Sequence, residues 1–217
     1  MSAGAEPPAS VTERLNELLA EAGLAPLDPE TAHCYKAYLS LILRWNARTN
    51  LTAVRDPEGI LTRHFIESIA CARALPAGIG TLLDFGSGAG FPGLPIALCR
   101  PEIAVTLAES QGKKAAFLCE AVRTLGIAAT VFAGRAEVLR TAFDCVVLRA
   151  VDKMPEAVAA AARLVAPNGW LAPMTTTTDL PALQAAAGPG FNWSPPIAMP
   201  GGENKLLVLA RKISSAA

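Results

Sequence analysis

Between Thr81 and Gly93 the chain reads TLLDFGSGAGFPG, with glycines at 86, 88, 90 and 93. Glycine has no Cβ and reaches positive φ without strain, so such a stretch brings bare backbone N–H groups close to a ligand. Gly88-x-Gly90-x-x-Gly93 satisfies the dinucleotide-binding spacing. A second apolar run, Ile103 to Leu107, leads into Glu109. That acid lies about 20 residues beyond the loop, where a carboxylate accepts from ribose hydroxyls. Loop and acid together indicate an adenosine-containing cofactor, without saying which. Without a ligand, the same residues make a tight strand-to-helix turn and a solvated glutamate.

Other residues that could do chemistry follow later strands. Gly134-Arg135-Ala136-Glu137 comes after a third apolar run, and its backbone and acid can read an adenine edge; equally, Glu137 can sit at a helix N-terminus, where the macrodipole favours it. Arg149-Ala150 leaves a buried-looking strand. An arginine there is poorly explained by packing and suits a carboxylate or the substrate. Lys113-Lys114 opens the helix after Glu109, either as a solvated face or as a phosphate contact. His64 lies in an apolar helical stripe with Phe65 and Ile69, a position that by periodicity alone suits a packed or helix-face histidine more often than a catalytic one. The five cysteines are scattered, with no zinc spacing, so no metal is expected. Cys145 falls inside a strand rather than after it, which does not suit a cysteine nucleophile, and Ser194-Pro195-Pro196-Ile197 reads as a linker.

These residues must be positioned by strands. Apolar runs at 81–85, 103–108, 128–133, 143–148 and 169–173 alternate with helical spacings from about 93, at 112–125 and at 155–165. Such alternation predicts a doubly wound, mostly parallel α/β sheet with crossover helices. Residues 203–212 carry a strand with no helix after it, an antiparallel closing strand, and the threonines at 175–178 read as a loop. In an open parallel sheet, ligands gather outside the carboxyl ends of the strands, so the four candidate segments should converge there. Ahead of the sheet, a Ser10-x-x-Glu13 capping box, Asp28-Pro29 and Asp56-Pro57 each open a helix. Asn46 to Thr52 reads as a polar connection, residues 1–9 as frayed, and Pro76 to Gly80 as a hinge-like link. The expected division is a helical extension, 1–75, and a Rossmann-like domain, 76–217.

Hydrophobic residues make up 52% of the 217 positions and charged ones 18%, the balance of a globular protein with a substantial core. No apolar run approaches the roughly 20 residues that span a bilayer, and no signal pattern opens the chain, so a cytoplasmic protein without membrane contact is expected. The net charge of +0 gives no global support to nucleic-acid binding. A protein docking on a folded particle needs only a local basic patch.

Asp84 to Gly93 resembles the signature loop of S-adenosylmethionine-dependent methyltransferases, and its Phe91-Pro92-Gly93 extension resembles the glucose-inhibited division protein B family, which acts on guanine N7 in 16S ribosomal RNA. Asn50-Leu51-Thr52, His64-Phe65-x-x-Ser68, Arg135-Ala136-Glu137 and Arg149-Ala150 are similar to further motifs of that family, and the likeness covers about residues 45 to 212. The resemblance implies a class I methyltransferase sheet with an N-terminal helical extension. It implies S-adenosylmethionine held by Gly86, Gly88, Phe91, Glu109, Ala136, Glu137 and Arg149. It implies 16S ribosomal RNA or the small subunit as partner, methylated at position 527 in standard numbering, with His64, Lys113 and Lys114 near the substrate. Guanine N7 carries a lone pair and no proton, so positioning suffices and no catalytic base is expected. The chain departs from the family pattern at Glu67, where aspartate is usual, at Met174-Thr175, where a lysine-glycine is common, and at Asn204-Lys205, where an arginine is usual. Two other readings of the loop stay open: an NAD-dependent oxidoreductase and a non-catalytic nucleotide-binding module.

Overall fold

In the computed structural model, which describes residues 10–213, the apolar runs form a nine-stranded sheet with helices on both faces. The expected fraying at residues 1–9 lies outside the described residues. Ahead of the sheet come α1 (Val11–Glu21), α2 (Pro29–Asn46), α3 (Pro57–Ile60), a π-helical turn (Leu61–Phe65) and α4 (Ile66–Ala74). Then follow β1 (Thr81–Phe85), α5 (Gly93–Cys99), β2 (Ala104–Glu109), α6 (Gly112–Leu125) and β3 (Ala129–Ala133). A 3₁₀ turn (Ala136–Val138) precedes β4 (Phe143–Arg149), α7 (Met154–Leu164) and β5 (Val165–Thr176). After these come α8 (Leu180–Ala187), β6 (Phe191–Trp193), β7 (Ile197–Ala198), β8 (Lys205–Leu207) and β9 (Ala210–Lys212). Among the described residues, no helix is long and apolar enough to cross a membrane.

The strand order is β3-β2-β1-β4-β5-β8-β7, with β9 pairing β5 and β6. Strands β1 to β5 are parallel; β8 and β9 run antiparallel to β5. The chain moves outward from β1 through β2 to β3, then crosses back to lay β4 on the other side of β1. That reversal opens a crevice at the carboxyl ends of β1 and β4.

Side chains alternate across the sheet, as the period of two requires. Leu82, Leu107, Cys145 and Val147 face one core with Leu15, Tyr35, Phe65 and Phe117; Leu83, Val146, Leu148 and Leu171 face the other with Val158, Ala161 and Leu183. Helices α1, α2 and α4 therefore share the core on the α5 and α6 side of the sheet. Their starts follow the caps: Glu13 N–H donates to Ser10 Oγ at 3.3 Å, Thr31 N–H to Asp28 Oδ1 at 2.9 Å, and Gly59 N–H to Asp56 Oδ1 at 2.6 Å. The aromatic rings of Tyr35, Tyr38, Phe65 and Phe91 meet at centroid distances from 5.0 to 5.8 Å. Each such pair is worth about 0.5–1.5 kcal/mol beyond its area. Tyr38 also donates its hydroxyl to the carbonyl of Ala89 at 2.5 Å, tying α2 directly to the glycine loop.

Three details differ from the sequence reading. The third helix is interrupted by the π-helical turn at Leu61–Phe65, which periodicity alone does not reveal. Strand β5 runs to Thr176, so Thr175 and Thr176 pair with Leu206 and Lys205 instead of looping. The expected closing strand is two short ones, β8 and β9, and the presumed linker ends in β7, which pairs with β8. Short strands and α8 carry too few residues for a periodic signal.

Candidate active site

Loop 86–92 begins where β1 stops, and Gly86 and Ser87 donate their N–H groups to the carbonyl of Ala108 at 3.0 and 2.9 Å. Two glycines, one in the loop and one at the start of α5, serve different purposes. At Gly93 a Cβ would sit 2.4 Å from Leu107 Cδ2 and 2.5 Å from Asp84 Oδ2, so packing beneath the loop demands glycine there. Gly88 has φ +57° and nothing within 4 Å of where a Cβ would stand. Its backbone, not crowding, sets the residue, and the space beside it is open to a ligand.

Glu109 closes the arrangement. It is buried, and its carboxylate accepts from Gly88 N–H at 2.9 Å and from Gln111 N–H at 2.7 Å. The acid is thereby fixed at the tip of β2, facing a cavity of about 700 Å³ lined by Gly86, Glu109, Gln111, Ala136, Glu137 and Val151, among others. Gly86, Glu109, Ala136 and Glu137 thus come together as the sequence implied. Gly88 joins them through its bond to Glu109. Beneath the loop, Asp84 is fully buried; its Oδ2 accepts from Gly93 N–H at 3.0 Å and its Oδ1 has no partner among the described residues. Burial pushes its pKa up to about 7.

Phe91, Arg149 and His64 form a second assembly. The Phe91 ring does not line the large cavity; it stacks on the His64 ring at 4.7 Å. Arg149 leaves the end of β4 and turns away from that cavity. It donates to Glu67 Oε2 at 2.6 Å, to the Arg63 carbonyl at 2.7 Å and to His64 Nδ1 at 3.1 Å. Because arginine only donates, Nδ1 accepts, so His64 carries its proton on Nε2 and gives it to Thr52 Oγ1 at 2.8 Å. Burial, then the Arg149 charge, lowers the His64 pKa to about 4, so the ring is neutral near pH 7. Lys113 and Lys114 stand at the start of α6 and line neither this assembly nor the large cavity.

Sequence reasoning missed the side chains that hold this assembly. Glu67 is 3% exposed, and its other oxygen, Oε1, is paired with Lys205 Nζ at the start of β8. Asn46, inside the presumed polar connection, is buried; it donates to the carbonyls of Thr52 and Val54 and accepts from Leu51 and Thr52 N–H. The available signals were, for Glu67, an acid inside an apolar helix pattern and, for Glu67 and Lys205, their departures from the family pattern. A second cavity of about 410 Å³ opens over this assembly, lined by Glu67, Arg149, Met174, Met199 and Lys205 with others at the ends of β4, β5 and β8.

The strand order, the antiparallel closing strands and a glycine loop facing an acid at the tip of β2 define a class I S-adenosylmethionine-dependent methyltransferase. Solved structures share this fold. A SAM dependent methyltransferase from Aquifex aeolicus superposes with a TM-score of 0.57 at 17% identity, covering 73% of this chain and 94% of that one. The pyocyanin biosynthetic protein PhzM gives 0.58 at 13% identity, covering 75% and 60%. A family profile described as GidB, rRNA small subunit methyltransferase G, matches residues 32–185. The ribosomal RNA small subunit methyltransferase G of Xanthomonas euvesicatoria pv. vesicatoria (strain 85-10) is 40% identical over 194 residues, 85% of this chain and 89% of its own. That of Stenotrophomonas maltophilia (strain K279a) is 43% identical over 170 residues, 77% and 78% of the two chains. The chain belongs to the GidB family of S-adenosylmethionine-dependent rRNA small subunit methyltransferases.

Proposed function

We propose that this 16S ribosomal RNA methyltransferase acts on N7 of a guanine. The observation that carries the reading is the pair of cavities on either side of one short segment, Arg149 to Met154. Val151, Asp152 and Lys153 line the larger cavity, while Arg149, Ala150 and Met154 line the smaller. The larger suits S-adenosylmethionine: open space at Gly88, a fixed carboxylate at Glu109 and the Ala136-Glu137 turn offer a backbone cradle, a ribose acceptor and an adenine edge. Gly86, Gly88, Glu109, Ala136 and Glu137 hold the cofactor in this reading. Phe91 and Arg149 support the loop and the dividing segment from behind. When bound, the cofactor supplies a methyl group activated by its sulfonium.

The residues at the junction offer positioning rather than proton transfer. His64 is neutral with both ring nitrogens engaged, and Arg149 is committed to Glu67. That suits a nucleophile with a lone pair and no proton to lose, as guanine N7 has, where orientation supplies the rate. Residues 1–75 then serve as a substrate-facing extension and 76–217 as the cofactor-binding domain, with Lys113 and Lys114 toward the RNA backbone. The test is transfer of a labelled methyl to 16S RNA and small subunits lacking the modification, followed by mapping. A single guanine rendered labile at N7 is the expected product. Label on another base, or on guanine at an atom other than N7, would overturn the proposal.

A further inference from the structure

We infer that the cavity of about 410 Å³ receives the target guanine turned out of its stack, and that Asp179 is the carboxylate that reads its Watson–Crick edge. The inference rests on the reading above, that the acceptor is a guanine in RNA. Size and lining fit a purine. Met154, Met174 and Met199 give the cavity soft, polarisable apolar walls, with Thr175, Asp179 and Lys205 around them.

The charges single out one residue. Arg149 and Lys205 are both paired with the buried Glu67, so three of the four ionic side chains of the cavity are engaged with one another and together carry one net positive charge. Asp179 is the fourth. It is exposed, and among the described residues its carboxylate has one hydrogen bond, from Thr176 Oγ1 at 2.7 Å. No side-chain bond from Asp179 caps α8; a reciprocal turn with Thr176, whose Oγ1 donates to Asp179 Oδ2 and accepts from Asp179 N–H at 3.2 Å, leaves Oδ1 without a hydrogen bond among the described residues. Guanine presents N1–H and N2–H side by side on its Watson–Crick edge, a match for two carboxylate oxygens; adenine presents an acceptor at N1 and no amino group at C2, which a carboxylate rejects.

Position supports the same assignment. Asp179 follows the end of β5, while the cofactor cavity lies over β1, β2 and the near side of β4. A purine spanning the ends of β4 and β5, its Watson–Crick edge toward Asp179, directs its opposite side, which carries N7, toward the dividing segment. The chemistry adds a reason for negative charge there. N7 forms the new N–C bond with its own lone pair, the pair of the breaking C–S bond stays on sulfur, and no proton is released. The unit positive charge ends on the purine. A carboxylate on the N1 and N2 edge therefore binds the transition state more strongly than the neutral base, which raises kcat.

The experiment compares wild type, Asp179→Asn and Asp179→Glu on 16S RNA lacking the modification, and on the same RNA with inosine, which has no N2 amino group, at the target position. Asp179→Asn should lose about 10²-fold in kcat, with S-adenosylmethionine affinity unchanged by calorimetry and part of the rate restored in Asp179→Glu. Inosine should slow wild type roughly tenfold or more and leave the residual rate of Asp179→Asn unaffected, a coupling that a merely structural role does not produce. The wild-type inosine penalty needs no variant, so it stands whatever the folding of Asp179→Asn. Equal inosine penalties in wild type and Asp179→Asn, or a wild type indifferent to inosine, would overturn the inference while leaving the methyltransferase reading intact. A wild type that methylates no guanine overturns both.

Discussion

The two cavities at the carboxyl ends of the strands are walled by different kinds of group. Around the larger one the decisive contacts are made by backbone: Gly88 and Gln111 N–H on Glu109, Gly93 N–H on Asp84, and Gly86 and Ser87 N–H on Ala108. Around the smaller one they are made by side chains from distant parts of the chain, with Glu67 joining Arg149 to Lys205 and His64 joining Arg149 to Thr52. A backbone cradle is fixed by local conformation and tolerates variation in the residues around it. A side-chain network can be retuned one residue at a time. In the proposed reading the methyl donor, common to a broad fold class, takes the backbone wall, and the acceptor, which is particular, takes the side-chain wall.

The largest expected effect falls on the side-chain wall. Glu67→Ala leaves Arg149 with its counter-charge removed in a half-buried position, and truncation of one partner of such a pair costs about 3 kcal/mol. Urea denaturation should show that loss, whereas Lys205→Met, whose ammonium is more exposed, should cost well under half as much. Equal losses would mean that Lys205 rather than Arg149 is the partner that matters.

On the backbone wall the glycines should separate by cause. Gly93→Ala drives a Cβ into Leu107 and Asp84 and should cost about 1–3 kcal/mol of stability. Gly88→Ala meets nothing, and only its positive φ is strained, at about 1 kcal/mol. A reversed order in thermal or urea unfolding would remove the distinction between packing and ligand glycines.

Acidification probes one titrating group from each wall in the cofactor-free protein. His64 has a folded pKa of about 4 against 6.5, so the unfolded chain takes up the proton first and stability falls as pH drops through that window. Asp84, at about 7 against 3.8, takes up its proton first in the folded state; its contribution is full below 3.8 and is lost as pH rises through about 7. The slopes oppose each other between about pH 4 and 6.5, each near 1.4 kcal/mol per unit where its shift is fully expressed. Asp84→Asn should therefore make stability fall on acidification more steeply than in wild type, as read from urea midpoints. A parallel pH profile in the variant would show that Asp84 is ionised throughout.

The smallest effect is expected outside both walls. Lys113→Ala with Lys114→Ala should weaken RNA binding, lower the salt slope by about one for each phosphate no longer neutralised and leave cofactor affinity unchanged. An unaltered slope would route the RNA elsewhere.

The same contrast explains what could be read from the chain. Glu109 lies 21 residues from its partner Gly88, and Asp84 nine from Gly93, so the backbone wall was visible as a spacing pattern. Glu67 meets Arg149 across 82 residues and Lys205 across 138, and no local pattern encodes such meetings. Arg149 was recognised as unexplained by packing, yet its partners were not. Asn46 looked like an ordinary loop residue because its role is to satisfy four backbone groups that only the folded connection brings around it. Asp179 followed a threonine run that read as a loop, and it became visible as part of a cavity only when β5 extended to Thr176.

The division between the walls is tested most directly by titrating S-adenosylmethionine into Gly88→Val and Asp179→Asn by calorimetry, with methyl transfer measured on the same preparations. Both variants should be impaired in transfer, Gly88→Val because cofactor affinity falls at least tenfold and Asp179→Asn with that affinity intact. Wild-type cofactor binding by Gly88→Val, or its loss in Asp179→Asn, would contradict the assignment of donor and acceptor to separate cavities.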